Sequence, residues 1–298
     1  MRFANLRRVA FLALPAAGCA HPAMSAGHDH TMQPATASSV TANEDTAIAP
    51  GAATAMARLQ RSPRHGEWVT IRTDAQTGDS LRAYVVYPQR STRAPVIVVV
   101  HEIFGLSTWV RGVADQLAAE GFIAIAPDLL TGKIPLGATD TVGMQAAMAA
   151  IRTLDPAVVQ RQIDAAAAYA MALPAATPRY GVVGFCWGGG VSFAHAVHSP
   201  TLGAAVVYYG TSPPSADLAN VRAPVLGLYG ENDARVDATI PPADSAMRAL
   251  GKSYTHEIFP GAGHGFLRAQ DQMNGANLAA AKRAWPMTVQ FFRSNLER

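Results

Sequence analysis

The chain runs to 298 residues, 49% of them hydrophobic, with 24 Lys and Arg against 21 Asp and Glu. That length holds one large α/β domain with a sizeable core. Three basic residues, Arg2, Arg7 and Arg8, stand at the N-terminus; the other 21 match the acidic count, so the body of the protein lacks the positive field that a nucleic-acid or anionic-membrane partner requires.

Residues 1–19 have the layout of an export signal: arginines, an apolar stretch from Val9 to Ala17, then Gly18 and Cys19. The apolar run is too short to persist as a membrane-spanning anchor. Ala16-Ala17-Gly18-Cys19 is similar to a bacterial lipobox, with Ala where Leu is usual. It implies an exported protein, periplasmic or membrane-anchored, whose membrane contact is a lipid on Cys19; simple cleavage is the alternative. Residues 20–62 contain no aromatic and are rich in Ala, Thr, Ser, Pro and Met, which reads as a disordered tether. His28-Asp29-His30 within it has no scaffold to fix a metal, and neither metal nor cofactor is expected. With Cys19 in the signal, Cys186 is left as a lone thiol whose context decides its reactivity.

Residues 63–298 form the expected catalytic domain, in which short β-rich runs alternate with Ala-rich helical segments. In chain order the expected elements are strands at Glu67–Thr73, Arg82–Tyr87 and Pro95–Val100, a helix at Val110–Glu120 and a strand at Phe122–Ala126. A helix at Pro156–Ala172, a strand at Tyr180–Gly184 and a helix at Trp187–His198 follow. The remainder reads as strands at Ala204–Tyr208 and Val225–Tyr229, a helix at Ala243–Leu250, a strand at Tyr254–Phe259 and a helix at Asn277–Leu296, interrupted near Pro286. This alternation predicts a mostly parallel central sheet with helices on both faces. Val96 to Val100 is apolar at every position, as a strand covered on both sides requires. Leu130 to Arg152 is expected to start irregularly and to cap the site.

Gly184-Phe185-Cys186-Trp187-Gly188 lies between a strand and a helix, the arrangement of a nucleophile elbow with cysteine in the serine position. A strand turning at once into a helix lifts the sulfur above the sheet, and the helix N-terminal amides favour a thiolate there. In an α/β-hydrolase fold an acid and a histidine follow in that order. Asp233 stands after one later strand, with Asp237 in reserve, and His264 after the next, in the glycine-rich run Gly261-Ala262-Gly263-His264-Gly265-Phe266. The thiolate would attack a carbonyl carbon, His264 would move the proton and Asp233 would hold the imidazole. Backbone N–H groups of Trp187 and Ile103 would receive the oxyanion.

These segments, with His101-Glu102-Ile103-Phe104-Gly105, Ala126-Pro127-Asp128-Leu129 and Tyr208-Tyr209-Gly210, resemble the dienelactone hydrolase family, the carboxymethylenebutenolidases, from about Gly66 to the C-terminus. The resemblance implies that Glu102 helps to generate the thiolate and that Arg268, four residues after His264, binds a substrate carboxylate. The family's second arginine has no clear counterpart, since Lys133 is the only basic residue between Asp128 and Ala150. Phe104, Tyr209 and Phe266, with Trp187, are expected to line an apolar pocket. The sequence thus predicts hydrolysis of a small ester or lactone through an acyl-cysteine; alternatives are a thioesterase or general carboxylesterase with the same triad, or a non-hydrolytic binding or redox-sensing thiol protein.

Overall fold

A computed structural model describes residues 45–73, 79–134 and 144–297. The export signal, most of the expected tether and the middle of the expected cap lie outside the described residues. Eight strands form one sheet: β1 (Gly66–Arg72), β2 (Ser80–Val86), β3 (Ala94–Val100), β4 (Ile123–Pro127), β5 (Ala176–Phe185), β6 (Ala204–Tyr208), β7 (Val225–Asn232) and β8 (Tyr254–Gly263). Their spatial order is β1-β2-β4-β3-β5-β6-β7-β8. Only β2 runs against its neighbours, so the sheet is mostly parallel.

The described helices are α1 (Ala52–Gln60), α2 (Thr108–Ala119), α3 (Met144–Ile151), α4 (Pro156–Met171), α5 (Trp187–His198), α6 (Ala234–Asp237), α7 (Ile240–Ala249) and α8 (Ala276–Leu296). Both faces of the sheet are covered. Ile97 and Val99 point into a core with α2 and α8, while Val96, Val98 and Val100 point into a core with α4, α5 and α7. The period-2 alternation of a strand therefore explains why β3 has no polar position at all. α4 begins where Asp155 accepts hydrogen bonds from the N–H groups of Ala157 (2.7 Å) and Val158 (3.3 Å), with Pro156 in the first turn.

Two sequence expectations are corrected. The helix expected to break near Pro286 runs unbroken as α8 from Ala276 to Leu296. Pro286 lies on its exposed side, where water can satisfy the carbonyl left without a donor, and the opposite side buries Trp285, Phe292 and Leu296. Fully burying such side chains stabilises by about 1.5–3 kcal/mol each, which offsets the lost bond. The described end of the tether, residues 45–62, is folded onto the domain. Ile48 and Ala49 are buried, Trp109 Nε1 donates to the Pro50 carbonyl (2.8 Å) and Gln270 Nε2 to the Ala49 carbonyl (2.9 Å). Close packing makes this possible without large side chains: a Cβ on Gly112 of α2 would stand 2.9 Å from Pro50 Cγ and 3.5 Å from Ala55 Cβ.

Candidate active site

Strand register brings the site residues together. Val100 of β3 pairs with Gly184 of β5, which sets Glu102 level with Cys186, and Phe185 pairs with Tyr208 of β6, which sets Cys186 level with Tyr209. Asn232 of β7 pairs with Gly263 of β8, so Asp233 and His264 emerge side by side. All leave the carboxyl ends of parallel strands, where open α/β sheets place their ligands.

Cys186 occupies the corner between β5 and α5 with φ 57° and ψ −117°, a conformation costing a non-glycine residue about 1–3 kcal/mol. The surroundings enforce it. A Cβ on Gly184 would lie 1.9 Å from the Gly188 carbonyl oxygen, and one on Gly188 would lie 2.3 Å from the His101 carbonyl oxygen. Only glycines allow the helix to rise this close to the two strands. The thiol is free and half-buried, at the N-terminus of a 12-residue helix.

His264 Nδ1–H donates to Asp233 Oδ2 at 2.5 Å, and the ring shares the wall of one cavity with Cys186. Burial disfavours the charged imidazole, but the hydrogen bond to Asp233 and the charges of Cys186 and Asp233 outweigh it, raising the pKa to about 9. Asp233, buried, holds the ring; Asp237 has a pKa raised by burial and by the charges of Asp233 and Glu231, and its Oδ1 has no hydrogen-bond partner.

Glu102 is 2% exposed, and burial lifts its carboxyl to a pKa of about 7 against the attraction of Arg268 and His264. Arg268 Nε lies 3.2 Å from Glu102 Oε1, an ion pair whose alignment falls short of a hydrogen bond, and the guanidinium sits 4.8 Å over the Phe104 ring. Ile103 follows Glu102 in a turn, and its N–H donates to no backbone carbonyl among the described residues.

Cys186 and His264 open onto a cavity of about 890 Å³, together with Ile103 and Trp187. Its walls are mainly apolar, and Met148 of α3 with Val159 of α4 belongs to them. The expectation that Tyr209 and Phe266 line the pocket is corrected here, because both are fully buried, while Phe104 and Arg268 stack on each other outside this cavity. Tyr209 and Phe266 are fully buried below the histidine: Tyr209 meets the His264 ring edge-on at 5.2 Å and Phe266 meets Tyr209 at 5.3 Å. A positive φ of 39° at Tyr209 fits its inward course, so these aromatics support the imidazole from beneath. Phe104 and Arg268 are occupied with each other and with Glu102. The polar lining that sequence reasoning missed includes Arg152 just after α3, Gln160 on α4 and Arg235 on α6, with Thr211, Ser212 and Asp217. Of the first three only Arg235, two residues beyond the acid, had a local signal.

A sequence pattern describing the dienelactone hydrolase family matches residues 81–296. A Salmonella typhimurium protein bearing the provisional name carboxymethylenebutenolidase is 31% identical over 266 residues, 85% of this chain and 97% of its own length. One of the same provisional name from Methylorubrum extorquens is 33% identical over 223 residues, 71% of this chain and 76% of its own length. The crystal structure of a provisionally named dienelactone hydrolase from Klebsiella pneumoniae superposes with a TM-score of 0.66 at 28% identity, covering 76% of this chain and 98% of that one. The α/β-hydrolase sheet, the matched residues and these relatives agree: the chain belongs to the dienelactone hydrolase family and is a carboxymethylenebutenolidase-like hydrolase of carboxylic esters.

Proposed function

We propose that the chain hydrolyses small esters or lactones with Cys186 as nucleophile, His264 as acid and base, and Asp233 as the group that fixes the imidazole. The observation that carries this reading is the hydrogen bond from His264 Nδ1–H to Asp233 Oδ2, with the same ring and Cys186 together at the wall of one cavity. With Nδ1–H committed to Asp233, the other ring nitrogen serves the sulfur and the substrate.

In this mechanism the thiolate attacks the carbonyl carbon, a C–S bond forms, and the carbonyl electron pair moves onto oxygen. The Ile103 and Trp187 N–H groups receive that oxyanion. Collapse breaks the ester C–O bond, and His264 gives its proton to the departing oxygen, leaving an acyl-cysteine. Water then attacks the acyl carbon while His264 takes its proton; the second collapse breaks the C–S bond and restores the thiolate beside a protonated imidazole. Glu102, with a pKa of about 7 and a charged neighbour in Arg268, can take or release a proton in the working pH range.

A cavity of about 890 Å³ is near the upper end for small-molecule sites. That size also favours bulkier carboxylic esters or thioesters as substrates. Arg152 and Arg235 offer positive charge to an anionic substituent. The sequence of residues 1–19 further supports export, with Cys19 as a site of lipid attachment.

Wild type, Cys186→Ala and His264→Ala compared on lactone, aryl-ester and thioester panels provide the test. Either substitution should lower turnover by about 10⁴-fold or more, since triad members act as a unit. Retained hydrolysis in folded Cys186→Ala, or stoichiometric modification of the wild-type thiol without turnover on any substrate, would refute the mechanism.

A further inference from the structure

The loop after β3 contains a fully buried histidine that the mechanism above does not use. His101 is 0% exposed, and both ring nitrogens are committed. Nδ1–H donates to the carbonyl oxygen of Glu102 at 2.8 Å, and Nε2 accepts from the Leu129 N–H at 3.2 Å. One partner can only accept and the other can only donate, so the tautomer is defined: the ring is neutral, with its proton on Nδ1. Burial, which lowers its pKa against the pull of Asp128, keeps it so. The same ring stacks on Trp187 at 5.6 Å with 26° between planes.

The bond to Glu102 matters because of which peptide it grips. The Glu102 carbonyl and the Ile103 N–H belong to one planar trans unit and point in opposite directions. Two donors hold that carbonyl, the His101 ring and the Gly105 N–H at 3.0 Å, while the N–H end donates to no backbone carbonyl among the described residues and Ile103 lines the cavity with Cys186. Hydrogen bonding at the carbonyl end also polarises the peptide and strengthens the N–H as a donor. Anchoring at Leu129, just beyond β4, stops the ring from turning away.

We infer that His101 is the positioning residue of the oxyanion site, aiming the Ile103 N–H through the Glu102 carbonyl and bracing Trp187, whose N–H is the second donor, by stacking. The inference rests on the proposed Cys186 mechanism. It assigns His101 no proton transfer and no contact with substrate.

The test uses the full-length protein with His101→Phe, which keeps a ring against Trp187 but no nitrogen, and His101→Asn, whose side-chain N–H lies where Nδ1 stood; His101→Ala replaces the Phe variant if that ring does not fit. Three readouts are compared: kcat and KM on p-nitrophenyl acetate, inhibition by a trifluoromethyl ketone, and alkylation by iodoacetamide. The thiolate adds to the ketone carbon, forming a C–S bond and an alkoxide with no leaving group, so its affinity reports the oxyanion site. Alkylation displaces iodide and needs only the thiolate. In His101→Phe, kcat should fall about 100-fold, the lower end of what losing one oxyanion donor costs, with KM within about threefold and ketone affinity weakened by about the same 100-fold. Alkylation should stay within about twofold of wild type and His101→Asn should recover kcat to within about tenfold, as expected when only transition-state binding changes. Unchanged kcat and ketone affinity would overturn the inference, as would alkylation falling in step with kcat, which marks a merely structural role. Failure of the underlying mechanism has a separate signature, full esterase activity in wild-type protein already alkylated at Cys186.

Discussion

Replacing Glu102 by Gln removes one buried titration from the folded state and should flatten part of the pH–stability profile. The carboxyl is 2% exposed, and burial raises its pKa from 4.5 to about 7 even though Arg268 and His264 pull the other way. The unfolded chain releases this proton near 4.5, so between there and about 7 the unfolded state binds fewer protons and stability falls as pH rises. The contribution is fully present below the unfolded value and is lost as pH climbs through the folded one. A displacement from 4.5 to about 7 corresponds to about 3 kcal/mol. His264, raised from 6.5 to about 9, has the same sign over a higher window, present below 6.5 and lost through about 9. Its side chain is 35% exposed, so solvent screens its share, and most of its loss falls above the Glu102 window. Urea unfolding of wild type and Glu102→Gln from about pH 4.5 to about 8 measures that difference. Wild type should lose about 3 kcal/mol relative to the variant across the window. Arg268, left without its carboxylate, adds an offset that does not vary with pH because a guanidinium does not titrate there. Parallel profiles separated by a constant would refute the argument that burial dominates this carboxyl.

Deleting residues 1–62 should destabilise the domain by about 1–3 kcal/mol relative to deleting residues 1–44, since it orphans the Trp109 indole donor, whereas Gln270 Nε2 keeps its bond to the Leu267 carbonyl; comparable urea midpoints for the two truncations would place α1 outside the cooperative unit. Arg152→Ala and Arg235→Ala should each lower kcat/KM for a carboxylate-bearing ester about fivefold relative to its neutral methyl-ester counterpart, matching an exposed ion pair near 1 kcal/mol. An unchanged ratio in the double variant would remove both from substrate recognition.

The sheet was legible because a strand covered on both faces writes itself as an unbroken apolar run, as Val96 to Val100 does, and the order Cys186, Asp233, His264 was legible because each stands at or just past the end of a predicted strand. What local pattern cannot carry is direction. Tyr209 and Phe266 stand beside strand ends like the functional residues, yet both turn down into the core beneath His264, a choice made by backbone twist at Tyr209 and by the packing of neighbouring rings. The cavity walls were hidden for a related reason: Arg152, just past α3, Gln160 on α4 and Arg235 on α6 reach one cavity, and only the placement of those helices on the sheet makes them neighbours.

The N-terminal segment failed in the opposite sense. Counting aromatics predicted disorder up to residue 62, whereas Ala55 and Pro50 pack on Gly112 because small side chains let backbones approach, and backbone carbonyls of Ala49 and Pro50 supply the polar partners for Gln270 and Trp109. Composition measures how much apolar surface a segment carries. Stability here depends on how closely that surface can approach its partner, and a segment made of alanine can bury little area yet satisfy the Trp109 indole donor that would otherwise be stranded in the core. The same closeness operates at the elbow, where Gly184 and Gly188 let α5 press against two strands and hold Cys186 at a positive φ. Glycine and alanine thus decide both where the chain is ordered and where its sulfur points, which is why patterns of large apolar residues located the sheet but not the segment packed upon it.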